Sequence, residues 1–253
     1  MDFEPKWIAW ETTRRCNLKC VHCRSSSELE AKGHPDFSFE EAKRVIDDIS
    51  SYASPVVVLS GGEPLLRDDI FDIAKYGDSK GLRMCMATNG TLVTAEIADQ
   101  IKEADIKMVS LSLDGSTAAV HDNFRNSPGA FDGTLNAMKL FRDRGIKFLI
   151  NSSFTKRNQE EIPKLYKLAK EVGATAWNMF MIVPTRRGEE TMNELSSKED
   201  DEDRLKWQYA MEKEEDELGV RATSAPSYDR VVLEQVTVKR DEFKRRPVQF
   251  SRE

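Results

Sequence analysis

Three cysteines fall inside eight residues, Cys16-Asn17-Leu18-Lys19-Cys20-Val21-His22-Cys23, and further along the chain stands Gly61-Gly62-Glu63-Pro64. Thiolates this close on one loop can converge on a single metal centre and are badly placed to cross-link distant parts of a fold. Four-iron clusters held by cysteine normally take four thiolates. Three leave one iron without a protein ligand, open to a small molecule, by the same logic that separates catalytic from structural zinc. A zinc knuckle completed by His22 is the other chemistry this spacing allows. The fourth cysteine, Cys85, lies in the apolar run Leu82 to Ala87 and reads as a small core residue.

The chain around these motifs alternates short apolar runs with longer amphipathic ones. Trp7 to Trp10 reads as a first strand, with the cysteine loop directly behind it. Ser38 with Glu41 forms a capping-box pattern that starts a helix to about Ser51. Pro55 to Leu59 is Val-rich and too short for a core helix, which suits a strand buried on both faces and ending at the Gly-Gly turn. The alternation continues with helix Asp68 to Lys80, strand Leu82 to Met86, helix Thr94 to Ala104 and strand Lys107 to Leu113. Helix Phe131 to Arg144, strand Lys147 to Ser152, helix Glu160 to Val172 and strand Thr175 to Val183 complete it. Strands alternating with helices imply parallel pairing through right-handed crossovers, and six such units are expected.

In parallel β/α folds the reactive groups sit where the loops leave the carboxyl ends of the strands. Each polar or Gly-rich cluster follows that rule. The cysteine loop follows strand one, Gly61 to Pro64 strand two, Asn89-Gly90 strand three, and Ser112, Asp114 and Gly115 strand four. Asn151 and Ser152 end strand five, and Pro184, Arg186 and Arg187 follow strand six.

Cys16, Cys20 and Cys23 match the CxxxCxxC signature of radical S-adenosylmethionine (SAM) enzymes, and Gly61 to Pro64 resembles that superfamily's GGEP element. The resemblance implies an α/β partial (β/α)6 barrel, TIM-like and open, with a [4Fe-4S] cluster on the three cysteines and SAM on the vacant iron. It also implies that Gly61, Gly62 and Glu63 hold the SAM amino group, with Pro64 closing the motif, and that the rim residue Asn89 lies on the cofactor side. Ser112 and Asp114 resemble the strand-four pair that meets the ribose or nearby SAM groups, and Arg125 the arginine that pairs with the SAM carboxylate. Backbone near Met181 to Val183 is a further expected support, for the adenine. A low-potential electron donor such as ferredoxin or flavodoxin would then feed the cluster.

The run Trp7 to Cys16, with His22-Cys23-Arg24 and Val183-Pro184-Thr185, is similar to the branch of that superfamily that tailors modified tetrapyrroles in haem and haem d1 biosynthesis. His22 stands where other branches carry an aromatic; it is the one candidate for a catalytic role, as proton donor or ligand. Such substrates carry several carboxylates, so Arg186 and Arg187 are expected clamps. Members of the branch carry further cysteines for an auxiliary cluster, whereas here Ser224 and Ser227 stand where cysteine and histidine are expected, and no cysteine follows Cys85. The resemblance covers residues from about 5 to 230. A peptide-modifying radical enzyme is the rival within the class, and a non-catalytic zinc module the rival outside it.

Composition sets the remaining bounds. A formal net charge of -6 gives no electrostatic case for nucleic acid or an anionic membrane. No apolar run approaches the roughly 18 residues of a bilayer span, and Asp2, Glu4 and Lys6 do not open a signal peptide, so a cytoplasmic protein is expected. Residues 1 to 190 are expected to form the barrel core, and 191 to 253 a helix and tail. Glu189 to Glu217 holds thirteen acids against four bases, with Leu205, Trp207, Met211 and Leu218 at partly helical spacing. The basic tail from Lys239, with Arg245 and Arg246, lacks a clear period and reads as an arm.

Overall fold

A computed structural model describes residues 4–30, 33 and 35–245. The Val-rich run becomes strand β2 (Val56–Gly61), paired in parallel with β1 (Trp7–Thr13) on one side and β3 (Arg83–Thr88) on the other. An inner strand covered on both faces needs no polar alternation, which is why Val57, Val58 and Leu59 are all buried. Strands β4 (Val109–Ser112), β5 (Phe148–Phe154), β6 (Ala176–Met181) and β7 (Gly219–Thr223) add in chain order, each pair parallel. Neighbours in sequence order joined by right-handed crossovers place the helices on one face of the sheet. The order is that of a barrel, left open because β1 and β7 do not pair.

The sheet therefore has seven strands where the pattern predicts six. β7 is short, opens on glycine and exposes Arg221, so no apolar run marks it. It also joins the segment after residue 190 to the same sheet as the expected core.

Helix α1 (Phe39–Tyr52) starts on the expected capping box: Ser38 Oγ accepts from the Glu41 amide, and the Glu41 carboxylate accepts from the Ser38 amide. Helices α2 (Ile70–Ser79) and α3 (Ala95–Glu103) fill two further crossovers. Two helices lie between β4 and β5: α4 (Ala118–Arg125), which the pattern does not reveal, and α5 (Ala130–Arg144). Helix α6 (Ile162–Glu171) precedes β6, and the acidic stretch forms α7 (Lys198–Glu214). Leu205, Gln208 and Tyr209 face inward from α7, and Trp207 packs edge-on against Trp177 and Tyr166. Helix α8 (Tyr228–Arg245) continues through the residues expected to begin an arm; Arg246 onward, like Asp2, lies outside the described residues.

The core lies between sheet and helices, around Ile46, Leu59, Ile73, Met86, Leu111, Phe141, Ile150 and Trp177. A buried indole needs a partner for its N–H. Trp177 donates to Ser152 Oγ at 2.8 Å, and that hydroxyl donates to the Leu113 carbonyl. Ser152, expected at the rim, thus serves the helix side of the sheet, because its neighbour Asn151 takes the opposite face. Among the described residues no helix is long and apolar enough to cross a membrane.

Candidate active site

After β1 the chain turns into the cysteine loop, at the carboxyl edge of the sheet. Cys16, Leu18 and Cys20 are buried there, with Cys23 packed on them. The loop is held from four sides. Cys16 donates its amide to the Glu28 carbonyl at 2.9 Å, and the Val21 amide reaches the Phe124 carbonyl at 3.2 Å. Asn17 donates to Thr91 Oγ1 at 2.8 Å and accepts from Asn89 Nδ2 at 2.9 Å. Arg187 donates to the carbonyls of Cys20, at 3.3 Å, and Ser27, at 3.1 Å, while its own amide donates to Ser26 Oγ. Arg187 is therefore a brace for the loop and not the substrate clamp expected of it. The same turn leaves Arg186 exposed at a left-handed φ of 52°.

The Gly-Gly turn lies directly against this loop. Gly62 donates its amide to the Thr13 carbonyl at 2.8 Å, and Glu63 donates to the Arg15 carbonyl at 2.7 Å. A Cβ on Gly61 would stand 2.2 Å from the Thr13 oxygen, and one on Gly62 2.1 Å from the Arg15 oxygen. The glycines are demanded by the approach of the cysteine loop itself. Pro64 opens a single 3-10 turn (Pro64–Leu66) capped by Glu63, whose carboxylate accepts from the Leu65 amide at 3.2 Å. The same carboxylate accepts from Thr88 Oγ1 at 2.7 Å and from the Asn89 amide at 2.8 Å. Glu63 is fully buried, and burial pushes its carboxyl up to about 7 despite these three donors. Its charge is turned into the protein, so it is the backbone of this turn that lies beside the cysteines. Arg67, which sequence reasoning missed, is also buried and ties the turn to β1: it donates to the Thr12 and Phe37 carbonyls, each at 2.8 Å, and pairs with Asp69. No local pattern marks it; only its place three residues past the motif could have drawn attention.

The unexpected α4 carries the charges that meet the loop from the β4 side. Arg125 Nη1 lies 3.6 Å from Cys20 Sγ, and Nη2 lies 2.5 Å from Asp114 Oδ2. Asp114 is fully buried; its Oδ1 accepts from the Ser153 amide at 2.8 Å, and its own amide donates to His121 Nδ1 at 3.0 Å. Burial forces His121 down to about 3, so the ring is neutral and Nδ1 is free to accept. Asp114 and Arg125, expected to meet SAM, are thus committed to each other and to Cys20, because α4 folds back under the end of β4. His22 stacks on Phe124 with ring centroids 4.5 Å apart, and burial, then Arg125 and His121, hold it well below the usual imidazole range. It is a neutral ring packed beside the cysteines, and its Nδ1 has no hydrogen-bond partner.

The open face of the sheet, opposite the helices, carries a polar row on its β4 to β6 side, next to apolar residues such as Val58 and Cys85 on β2 and β3. Ser112, Asn151 and Asn178 are register neighbours on β4, β5 and β6, and Asn178 donates to Asn151 at 2.9 Å. The Ser112 side chain has no partner among the described residues.

Residues 10–169 match the sequence profile of the radical SAM superfamily. The chain belongs to that superfamily. Within it, this radical SAM chain is 46% identical over 231 residues to the AdoMet-dependent heme synthase of Methanosarcina barkeri, covering 91% of this chain and 65% of that protein. It is 35% identical over 188 residues to the pre-heme d1 synthase of Dinoroseobacter shibae, covering 74% of this chain and 46% of that protein. The chain spans about two thirds of the first relative's length and under half of the second's. Its fold matches Streptococcus suis SuiB bound to S-adenosylmethionine, with a TM-score of 0.71 at 18% identity, over 87% of this chain and 51% of that one. Its likenesses lie with the tetrapyrrole-tailoring branch.

The donor set fits the family's cofactors. Burial pushes the Cys16 thiol up to about 11 and raises that of Cys20, which Arg125 opposes. Buried thiols of this kind become thiolates only against a compensating positive centre, as metal ligation supplies. No three His, Cys, Asp or Glu side chains among the described residues converge as a cage for one ion. A cluster asks for something else, one thiolate per iron at separate corners, and a loop bearing three cysteines beside a Gly-Gly turn answers that demand.

Proposed function

We propose that the chain cleaves SAM reductively and takes hydrogen from a carboxylated tetrapyrrole. Cys16, Cys20 and Cys23 would hold the [4Fe-4S] cluster, and the backbone of Gly61-Gly62, pressed against the same loop, would hold the SAM amino group. A [4Fe-4S] cluster held by these cysteines would supply the electron for reductive cleavage of SAM, the chemistry through which hydrogen is taken from the substrate. The protein's own work is to fix and shield. Arg125 neutralises charge at Cys20, Asp114 and His121 fix Arg125, and Asn89 ties the β3 loop to Asn17. Ser112 and Asn151 offer polar atoms to the adenosine on the open face. The electron would come from a small low-potential protein of the ferredoxin or flavodoxin kind.

The observation that carries the substrate reading is the 46% identity to a heme synthase over 91% of this chain. Anaerobic reconstitution tests it. Brown protein with about four irons per chain, forming 5′-deoxyadenosine from SAM and dithionite and changing the mass of an iron-bound tetracarboxylic porphyrin, is the expected result. If 5′-deoxyadenosine forms while the tetrapyrrole mass stays unchanged, the substrate reading fails and the radical chemistry stands.

A further inference from the structure

The polar row on the open face does not stop at Asn178. Its register neighbour on β7 is Arg221, so Ser112, Asn151, Asn178 and Arg221 stand side by side across four strands. With strands about 4.8 Å apart, the row runs about 14 Å, from β4 to the β7 edge of the sheet. Paired residues of a parallel sheet point to the same face, and the opposite face confirms the phase: Trp177 and Val220, one residue earlier on the same two strands, are both buried in the core. Thr223, two pairs further up β7, lies on the same face, paired with Phe180.

Arg221 is exposed and has no ion-pair or hydrogen-bond partner among the described residues. Arg125 is engaged by Asp114, Arg187 by two carbonyls and Glu11 by Arg24, and the exposed Arg186 and Lys19 stand outside the row. A lone charge on an edge strand is a common device against strand pairing. That device does not call for asparagine in the two inner strands beside it, where Asn is disfavoured. Within the row, β6 and β7 lie three and four strands from β3, whose loop contacts the cysteine loop through Asn89, so the row extends away from that loop along the sheet.

Resting on the tetrapyrrole reading above, we propose that Arg221 anchors a carboxylate of the substrate, with Asn178 beside it, and that this sets the reach from the cysteine loop to the bound acid. A guanidinium offers a carboxylate two parallel donors, which Lys cannot copy. The test is an anaerobic absorbance titration of the reconstituted protein, in the presence of SAM, with a porphyrin bearing four propionates and with its tetramethyl ester. The wild type should bind the acid more tightly than the ester. Arg221→Gln should raise the Kd for the acid about tenfold or more, leave the Kd for the ester within about twofold, and keep iron content and SAM binding. Arg221→Lys should recover part of the loss. Equal binding of the acid by wild type and Arg221→Gln overturns the inference alone, as does an Arg221→Gln protein that loses its iron, since the residue would then serve the fold. A wild type that binds neither porphyrin, or does not distinguish acid from ester, overturns this inference together with the tetrapyrrole reading.

Discussion

The two halves of the sheet treat polar residues in opposite ways. At the carboxyl ends of β1 to β4, side chains that surround the cysteine loop are tied to other parts of the chain: Glu63 by three donors, Arg67 by two carbonyls and Asp69, Asn89 by Asn17 and Thr91, Asp114 by Arg125, although His22 Nδ1 and Ser27 Oγ keep no hydrogen-bond partner. On the open face of β6 and β7, Arg221 and Thr223 have no such partners among the described residues, and Asn178 has one. The first half is a frame, built to hold a loop of buried thiols in one shape. The second is a surface, with donors and acceptors still available. Substitutions in the frame should therefore cost stability and iron, and substitutions on the surface should cost affinity.

The largest expected effect is at the frame's centre. Cys20→Ala removes a cluster ligand and leaves Arg125 Nη1 facing no sulfur, so 5′-deoxyadenosine formation should vanish and iron content fall sharply. Retention of full iron with only reduced turnover would show that the frame tolerates two thiolates. Glu63→Ala comes next. It strands the Thr88 hydroxyl and the Leu65 and Asn89 amides, and should lower the stability of the metal-free protein by about 3 kcal/mol in urea unfolding.

The same carboxyl gives the frame a pH signature. In the folded protein it holds its proton up to about 7, whereas in the unfolded chain it lets go near 4.5. A raised folded value means the contribution is complete below about 4.5 and is lost as pH climbs to about 7, a difference of about 3 kcal/mol. Burial raises Asp114 in the same sense. His121 and His22 act in the opposite sense, since their lowered values favour the fold above the ordinary imidazole range and oppose it as pH falls. The Glu63 part is isolated by subtraction: between pH 4.5 and 7 the wild type should lose stability relative to Glu63→Gln, and parallel curves would refute it.

The split between frame and surface also explains what the residues alone disclose. The cysteine spacing, the Gly-Gly-Glu-Pro turn, the Val-rich β2 and the capping box at Ser38 are local features whose meaning is set by their neighbours in sequence, and each is found where expected. Roles that depend on which distant segment comes close are not legible. Arg187 becomes a brace only because the turn after β6 reaches residues 20 to 27, and the Gly-Gly turn presses on Thr13 and Arg15 only once β1 and β2 pair. Asp114 is legible with Ser112 at the end of β4, and Arg125 separately, but α4 is only eight residues long and its return toward Cys20 is a tertiary fact. β7 is invisible for the reason that makes it useful: a strand that exposes arginine on its working face has no apolar signature.

Arg187→Gln probes the border between the two regimes. It removes the donors to the Cys20 and Ser27 carbonyls while leaving every thiol in place, so unfolding should shift by only about 1 kcal/mol. Iron should leave the variant faster on dilution into chelator, because the loop loses a support on its exposed side. If chelator removes iron at the wild-type rate, Arg187 does not hold the loop.

Asn178→Ala carries the smallest effect on the fold and the sharpest test of the contrast. Among the described residues its side-chain amide hydrogen-bonds Asn151 alone, and the side chain is half-buried on the open face, so stability should change by no more than about 0.5 kcal/mol. Asn151 would turn to water without leaving a buried group unpaired. The porphyrin tetra-acid, by contrast, should bind more weakly while iron content and 5′-deoxyadenosine formation without substrate stay as in the wild type. A variant of normal affinity that unfolds as readily as Glu63→Ala would place Asn178 in the frame and erase the contrast between frame and surface.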